Sequence, residues 1–353
     1  MISLLTKVKQ LSVNWRYNCE KENSIIIILT IALILISALP CSAMATDKRL
    51  TLESQINHFS RIPGFEDWSN CTLVDNGILF SSDDNIYRHF TIESIVSSEN
   101  IGYVICNDQF EIIEFSRYRS PYCDYYEKCA DGVLNRKILK AFYEPGFHGL
   151  ISGDQIQVIE CDDLVNDSFD EVIETANEAD ASILRGSVDK YKVISGVPNY
   201  PYTASCIPTA IGNILGYWDS HGYPNLMTGS YSAMINEISS LMGVNTANAN
   251  IPKAVHQYCH KNGRYPNKFT ATNISKPQFT QLKPEIDAGR PTLVGFAKGG
   301  AYSGAHMTAC IGYYYEITSS ARYIYVHDGG HHSGDYFVQW NGTYNDFIGK
   351  IVP

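Results

Sequence analysis

Between Ser205 and Trp218 the apolar positions fall at steps of three and four: Ile207, Ala210, Ile211, Ile214, Leu215 and Trp218. That spacing puts them on one stripe of an α-helix, the pattern of a helix that buries one face. Pro208 falls in the first turn, where a missing N–H costs nothing, and Gly222 with Tyr223-Pro224 ends the run. Similar periodicity predicts helices over about Tyr231–Met242, Ile251–Asn262 and Lys276–Ala288, the last closed by Gly289. The pattern then changes to strand-like runs at Thr292–Phe296, Met307–Tyr315, Arg322–His327 and Tyr336–Trp340. Helices first and an antiparallel sheet afterwards is an α+β order.

The earlier part of the chain reads as a smaller α+β domain. Leu50–Ile62 is an amphipathic helix candidate. Strand-like pieces follow at Gly77–Phe80, Tyr103–Cys106 and Phe110–Phe115, the last two joined by a turn at Asn107-Asp108-Gln109. Val133–Phe142 reads as helical, and Gln155–Ile159 alternates as a strand. Asp162–Ala181 is acidic with spaced apolar residues, a surface helix or a linker. Four segments result: 1–45, 46–165, an acidic linker over 166–189, and 190–353.

The N-terminal segment decides compartment. Lys7, Lys9, Arg16 and Lys21 precede an apolar run from Ile25 to Leu39, and Ala43-Met44-Ala45 supplies a small-x-small cleavage site. This predicts a signal peptide over 1–45. The apolar run is shorter than the ~20 residues of a membrane span, so cleavage is expected to leave no stable span and a secreted or cell-surface protein. An uncleaved anchor is the alternative.

Composition narrows the chemistry. The chain has 353 residues and a net charge of −10, and neither a nucleic-acid partner nor a cofactor is expected. Of ten cysteines, cleavage would remove Cys19 and Cys41, and the spacing of the rest fits no zinc framework. His327, His331 and His332 with Asp328 and Asp335 also match no zinc motif, so no metal is assigned. Charge divides unevenly: Thr46–Val188 has 26 acidic and 11 basic residues (−15), Asp189–Pro353 has 9 and 12 (+3). Such a run is either a solvated face or one of two surfaces built to meet.

Cys206 opens the first helix described above. Unpaired N–H groups and the positive dipole end stabilise a thiolate there, and the expectation is a thiol pKa lowered from about 8.5. The plainer reading is a small hydrophobe at a helix start. A cysteine nucleophile needs a base and a group to orient that base. His306 opens one predicted strand and Asp328 ends the next, with a turn near residue 318 between them. As a hairpin these strands would set the two side chains within a residue or two of facing each other. Gly212 and Gly216 would let the helix start pack against that edge.

Cys206-Ile-Pro-Thr-Ala, Gly216-Tyr-Trp-Asp219, Glu285-Ile-Asp-Ala-Gly-Arg-Pro291, Ala305-His306 and Tyr325-Val-His-Asp328 together resemble the papain-like cysteine peptidases, and in particular the bacteriocin-processing, double-glycine branch. The resemblance covers 190–353 and implies a papain-like fold with a triad of Cys206, His306 and Asp328. Ile207 stands where those families usually carry Gly. They also carry a Gln about six residues before the nucleophile, where this chain has Tyr200 beside Asn199, and a Tyr hydroxyl or Asn amide is the expected substitute oxyanion donor. Ile101-Gly-Tyr-Val-Ile-Cys106 and Ile112-Ile-Glu-Phe-Ser116 resemble the propeptide domain of streptopain-type peptidases. The implied protein is a cysteine peptidase made as a zymogen, acting on peptides or proteins, with its own first domain as inhibitor. Two other readings keep the fold: an amidase or transpeptidase on cell-wall or γ-glutamyl peptides, and an inactive surface binding module.

Overall fold

The computed structural model describes residues 50–353 apart from 83–84, 137–138, 146, 154, 159–188, 244–246, 262–263, 266–267, 297–305, 318, 329–335 and 343–344. The predicted signal segment, nearly all of the acidic linker, Cys161, His331, His332 and Asp335 therefore lie outside the described residues. Residues 55–353 form one compact unit.

The first half opens on a helix over 50–59 (α1). Strands β1 (Cys71–Phe80), β2 (Ile86–Ser94), β3 (Asn100–Asn107) and β4 (Ile112–Ser116) form an antiparallel meander. A short helix α2 (Cys123–Ala130) precedes β5 (Lys140–Glu144), β6 (Phe147–Ser152) and β7 (Gln155–Val158). Among the described residues, the stretch Val133–Phe142 forms no helix. Val133 is 71% exposed, and Phe142 instead pairs with Phe80 of β1 and Gly149 of β6. A short apolar run does not tell helix from strand, and strand pairing decided this one.

In the second half the periodic segments became the elements expected of them: α3 (Cys206–Ser220), α4 (Tyr231–Met242), α5 (Ile251–His260) and α6 (Phe279–Asp287), then β10 (Thr292–Phe296), β11 (His306–Tyr315), β12 (Arg322–His327) and β13 (Tyr336–Gln339). Strands β8 (Lys190–Val193), β9 (Thr270–Ser275) and β14 (Asn345–Val352) are additional. Their alternation is weak: β9 has no fully buried residue, and the sheet recruits it by pairing with β14.

The described strands join one sheet in the order β7-β6-β5-β1-β2-β3-β4-β13-β12-β11-β10-β14-β9, with β8 paired on β11. The two halves meet where β4 pairs antiparallel with β13, Phe115 opposite Phe337 and Glu114 opposite Val338. Phe115 and Phe337 stack at 4.8 Å with 5° between planes, and Phe59 stacks on Phe115 at 4.2 Å. Tyr323 packs edge-on against both Phe59 and Phe115, and its hydroxyl donates to the Ile112 carbonyl. Among the described residues, backbone pairing and aromatic packing join the halves at this seam. At its rim His58 Nε2 lies 2.5 Å from Asp189 and 3.6 Å from Glu316, the second of these acids belonging to the β11–β12 turn.

The helices cover the second half of the sheet. Ile207, Ala210, Ile211, Ile214 and Leu215 of α3 share a core with Met234 and Ile238 of α4, Met307 and Ala309 of β11, and Phe347 and Ile351 of β14. Trp218 Nε1 donates to the Ile351 carbonyl at 3.0 Å and fixes the far end of α3.

Candidate active site

Helix α3 starts without a side-chain cap. Ser205 is extended (φ −156°, ψ 167°), and its hydroxyl caps none of the first N–H groups. Those groups face the sulfur of Cys206 instead. The backbone N–H groups of Cys206, Ile207 and Met307 all lie within hydrogen-bonding reach of the thiol. Met307 is the neighbour of His306, so the helix start is seated on the first residues of β11. The contact is apolar alongside, since Ile207 and Met307 belong to the same buried cluster.

The thiol does not behave as the helix dipole alone would dictate. Burial pushes the Cys206 pKa up, and the three N–H groups offset only part of that, leaving it above its ordinary value. Desolvating an ionised sulfur costs more than a few partial charges return. The site therefore holds a neutral thiol that needs a base, rather than a thiolate supplied by the helix.

His306 is the first residue of β11 and pairs with Phe296 of β10. Asp328 directly follows β12 and is buried, 3% exposed. The hairpin register runs Ala309 opposite His327 and Cys310 opposite Val326, so continuing it sets Asp328 opposite Thr308. His306 lies two residues further along β11 on the same face, the diagonal position across an antiparallel pair. Diagonal neighbours are about 7–8 Å apart, within reach of long side chains. The neighbouring His327 directs Nδ1 to the Pro198 carbonyl at 3.2 Å, which ties the end of β12 to the segment ahead of Cys206.

That segment is anchored at Tyr200. Its N–H donates to Oδ1 of the buried Asn213 at 3.0 Å, and its ring stacks on Tyr231 at 4.9 Å and 8°. Gly216 makes room for it: a Cβ there would lie 2.8 Å from the Tyr200 ring. Gly212 does the same for Ile235, whose Cγ1 a Cβ would meet at 2.7 Å. The two glycines thus admit α4 and the Tyr200 ring, and the sheet contact they were expected to permit is made by apolar side chains. The Tyr200 hydroxyl reaches Met227 Sδ at 3.5 Å. Gly216 is ten residues from Cys206, on the order of 15 Å of helical rise, so the Tyr200 hydroxyl points away from the thiol. Asn199 is exposed on the same segment.

Among the described residues, Tyr202 lies near the thiol. Its hydroxyl oxygen accepts the backbone N–H of Cys206 and lies close enough to the sulfur to feel its charge. Burial and then the neighbouring thiol raise the phenol's pKa, while the Cys206 N–H lowers it. Sequence reasoning passed over Tyr202 because the six-residue offset leads to Tyr200.

The Glu285–Pro291 stretch has a structural role. Burial alone would raise the Glu285 pKa, but Arg290 Nε at 2.6 Å and Lys350 Nζ at 2.8 Å hold it below its ordinary value. Gly289 takes φ +70° to end α6, and Arg290 folds back onto that helix.

Residues 191–347 match the family model described as the Peptidase_C39 like family. The matched stretch contains the helix-start cysteine and both strands of the hairpin, and it supports a cysteine peptidase of the C39-like kind. No curated protein and no solved structure matches the chain.

Proposed function

We propose that the protein is a secreted cysteine peptidase, made as a zymogen, that hydrolyses peptide bonds through Cys206, His306 and Asp328. The observation that carries this reading is the seating of the Cys206 sulfur against the N–H of Met307, beside His306, at an uncapped helix start. His306 takes the thiol proton as the sulfur attacks the scissile carbonyl carbon. The raised thiol pKa makes this proton transfer part of the attack rather than a prior step. The C–N bond breaks as His306 returns the proton to the leaving amine, leaving a thioester on Cys206. His306 then deprotonates water, which attacks the thioester and releases the acid product. Asp328, buried at the end of β12, orients the imidazole.

Secretion rests on the basic n-region, the apolar run and Ala43-Met44-Ala45. The zymogen reading rests on the first half's place ahead of the peptidase-like half and on the β4–β13 pairing, because β13 follows the segment that begins at Asp328. A first half held there sits two strands from β12, whose end carries the orienting carboxylate.

The test is digestion of a peptide library by purified 46–353 and by its Cys206→Ala variant. Cleavage that disappears in the variant, with a hydroxylamine-trappable thioester in the unaltered protein, is the expected result. Undiminished cleavage by Cys206→Ala ends this reading. Release of ammonia or amine exchange without peptide scission moves the same site to amidase or transpeptidase chemistry.

A further inference from the structure

Far along β11 from His306, three bases share one face of the sheet. Lys190 pairs opposite Tyr315 and Tyr315 opposite Arg322, a single row across β8, β11 and β12. Lys192 pairs opposite Tyr313, two residues along β11 on the same face. Helix α6 completes the surface: the Arg322 guanidinium lies 5.5 Å from the Phe279 ring centre and 5.6 Å from that of Tyr315, and Lys283 lies 4.8 Å from the Tyr313 ring. A guanidinium stacked on rings keeps its N–H edge for a carboxylate. The acids of this half are engaged otherwise. Glu237 takes Lys261 and Arg264, Glu285 takes Arg290 and Lys350, and Asp287 takes Lys283. Lys190, Lys192 and Arg322 make no ion pair among the described residues. Lys190 is exposed, and Lys192, Tyr315 and Arg322 are half-buried, so the surface is open to a partner.

We propose that this basic, aromatic surface is the docking site of the chain's own acidic segment, Glu160–Asp180. That segment has nine acids and no Lys or Arg, with Leu164, Val165, Phe169, Val172 and Ile173 spaced among them. Its carboxylates complement the three cations, and its apolar side chains complement the rings between them. The described chain resumes at Asp189, one residue before Lys190. Ten residues lead from Asp180 to Lys190, and an extended chain of that length spans up to about 35 Å, so the acids reach the surface. A tether this short supplies an effective concentration on the order of mM, so a contact too weak to hold a free peptide holds this one. The contact does not depend on the chemistry of Cys206. Its consequence for a zymogen is that the linker is cut more slowly while docked.

The experiment treats the full chain, as a dilute mixture of isotopically light and heavy copies, with a water-soluble carbodiimide. This reagent joins carboxylates to amines in contact, and peptide mass spectrometry reads which lysines acquire acids from Glu160–Asp180. Links to Lys192 and Lys283 within one copy are expected at about 0.1 M salt, and their loss at about 1 M, where the Debye length is ~3 Å. Lys190 is too near in sequence to be diagnostic. Arg322→Gln is expected to lower the yield about tenfold, as loss of one hydrogen bond to a charged group does. The same loss, read on the remaining acids, is expected of Asp170→Asn, Glu171→Gln and Glu174→Gln together, changes that touch none of the described fold. Links to Lys192 and Lys283 no more frequent than to Lys253, exposed on α5, overturn the assignment. Yields indifferent to salt and to Arg322→Gln overturn it as well. Links between light and heavy copies give the surface to a second molecule and overturn it too. Cys206→Ala is expected to change none of these readings, so failure of the peptidase reading stays distinguishable from failure of this one.

Discussion

The two halves of the sheet hide and expose opposite kinds of residue. In the first half the chemistry-bearing side chains are sealed. Glu114 and His148 are 0% and 1% exposed, with His148 Nε2 2.6 Å from Glu114 Oε1. Tyr103 donates to the same oxygen at 2.8 Å and Tyr143 to the other at 3.1 Å. His89, fully buried nearby, stacks on Tyr126. In the second half the helix–sheet core is mainly aliphatic, while Cys206 is half-buried and Tyr202 stands at the surface. A carboxylate, an imidazole and tyrosines in contact are the ingredients of a catalytic site. Here they are the first half's structural polar core, because no substrate reaches them and Glu114's oxygens are already bonded. In the second half, by contrast, Cys206 and His306 are only partly buried, although Asp328 is sealed at 3% exposure.

Removing a partner from the sealed cluster tests that contrast most severely. His148→Ala leaves the Glu114 carboxylate buried with only tyrosine donors, and is expected to cost about 3–5 kcal/mol of stability. Urea unfolding measures this, and Cys206 alkylation per folded molecule is expected to be unchanged. A stable His148→Ala protein with altered Cys206 reactivity would join the two regions functionally and break the comparison.

Acid sharpens it. Burial, and secondarily the charge of His148, lowers the His89 pKa from 6.5 to about 3. The folded state keeps this imidazole neutral while the unfolded chain protonates, so its contribution is full above 6.5 and falls as pH drops toward 3. In the second half, Glu237, Glu285 and Asp287 have pKa values below 4.5, 4.5 and 3.8 despite partial burial, because Lys and Arg partners bond them. Their stabilisation is present above those values and is lost only at lower pH. Hydrogen exchange between pH 7 and 4 is expected to show the first half loosening before the second. A His89→Asn variant with the same acid profile would remove the cause assigned here.

The smallest expected effect is that of salt. A chain cut after Arg185 is expected to stay associated in 0.1 M and 1 M NaCl alike, and to separate only in denaturant. Raising the salt shortens the Debye length from ~10 Å to ~3 Å but leaves strand pairing and aromatic stacking at the seam intact. Size-exclusion chromatography decides it. Dissociation at 1 M salt would return the seam to the charge-driven docking that the −15 and +3 halves suggest. Retained association would mean that a zymogen of this design needs more than a cut linker to release its first half.

Local periodicity made several elements legible without the structure. The stripes that became α3 and α4 and the runs that became β10 and β12 match closely, because each pattern repeats within its own segment and needs no distant partner. A cysteine at a helix start and a hairpin joining His306 to Asp328 follow from the same local reasoning, and the hairpin register agrees to within two residues. What tertiary structure decided depends on partners far along the chain. Thr270–Ser275 becomes a strand because β14 offers an edge, and 140–144 becomes one because β1 and β6 flank it. The thiol pKa rises because Cys206 is buried against the helix–sheet core, a desolvation cost that helix position cannot reveal. Tyr200 lies away from the thiol because Asn213 and Gly216 hold it a few turns down the helix. Sequence spacing counts residues along the chain; desolvation and hydrogen bonding are set by distances in space, and those exist only once the halves have packed.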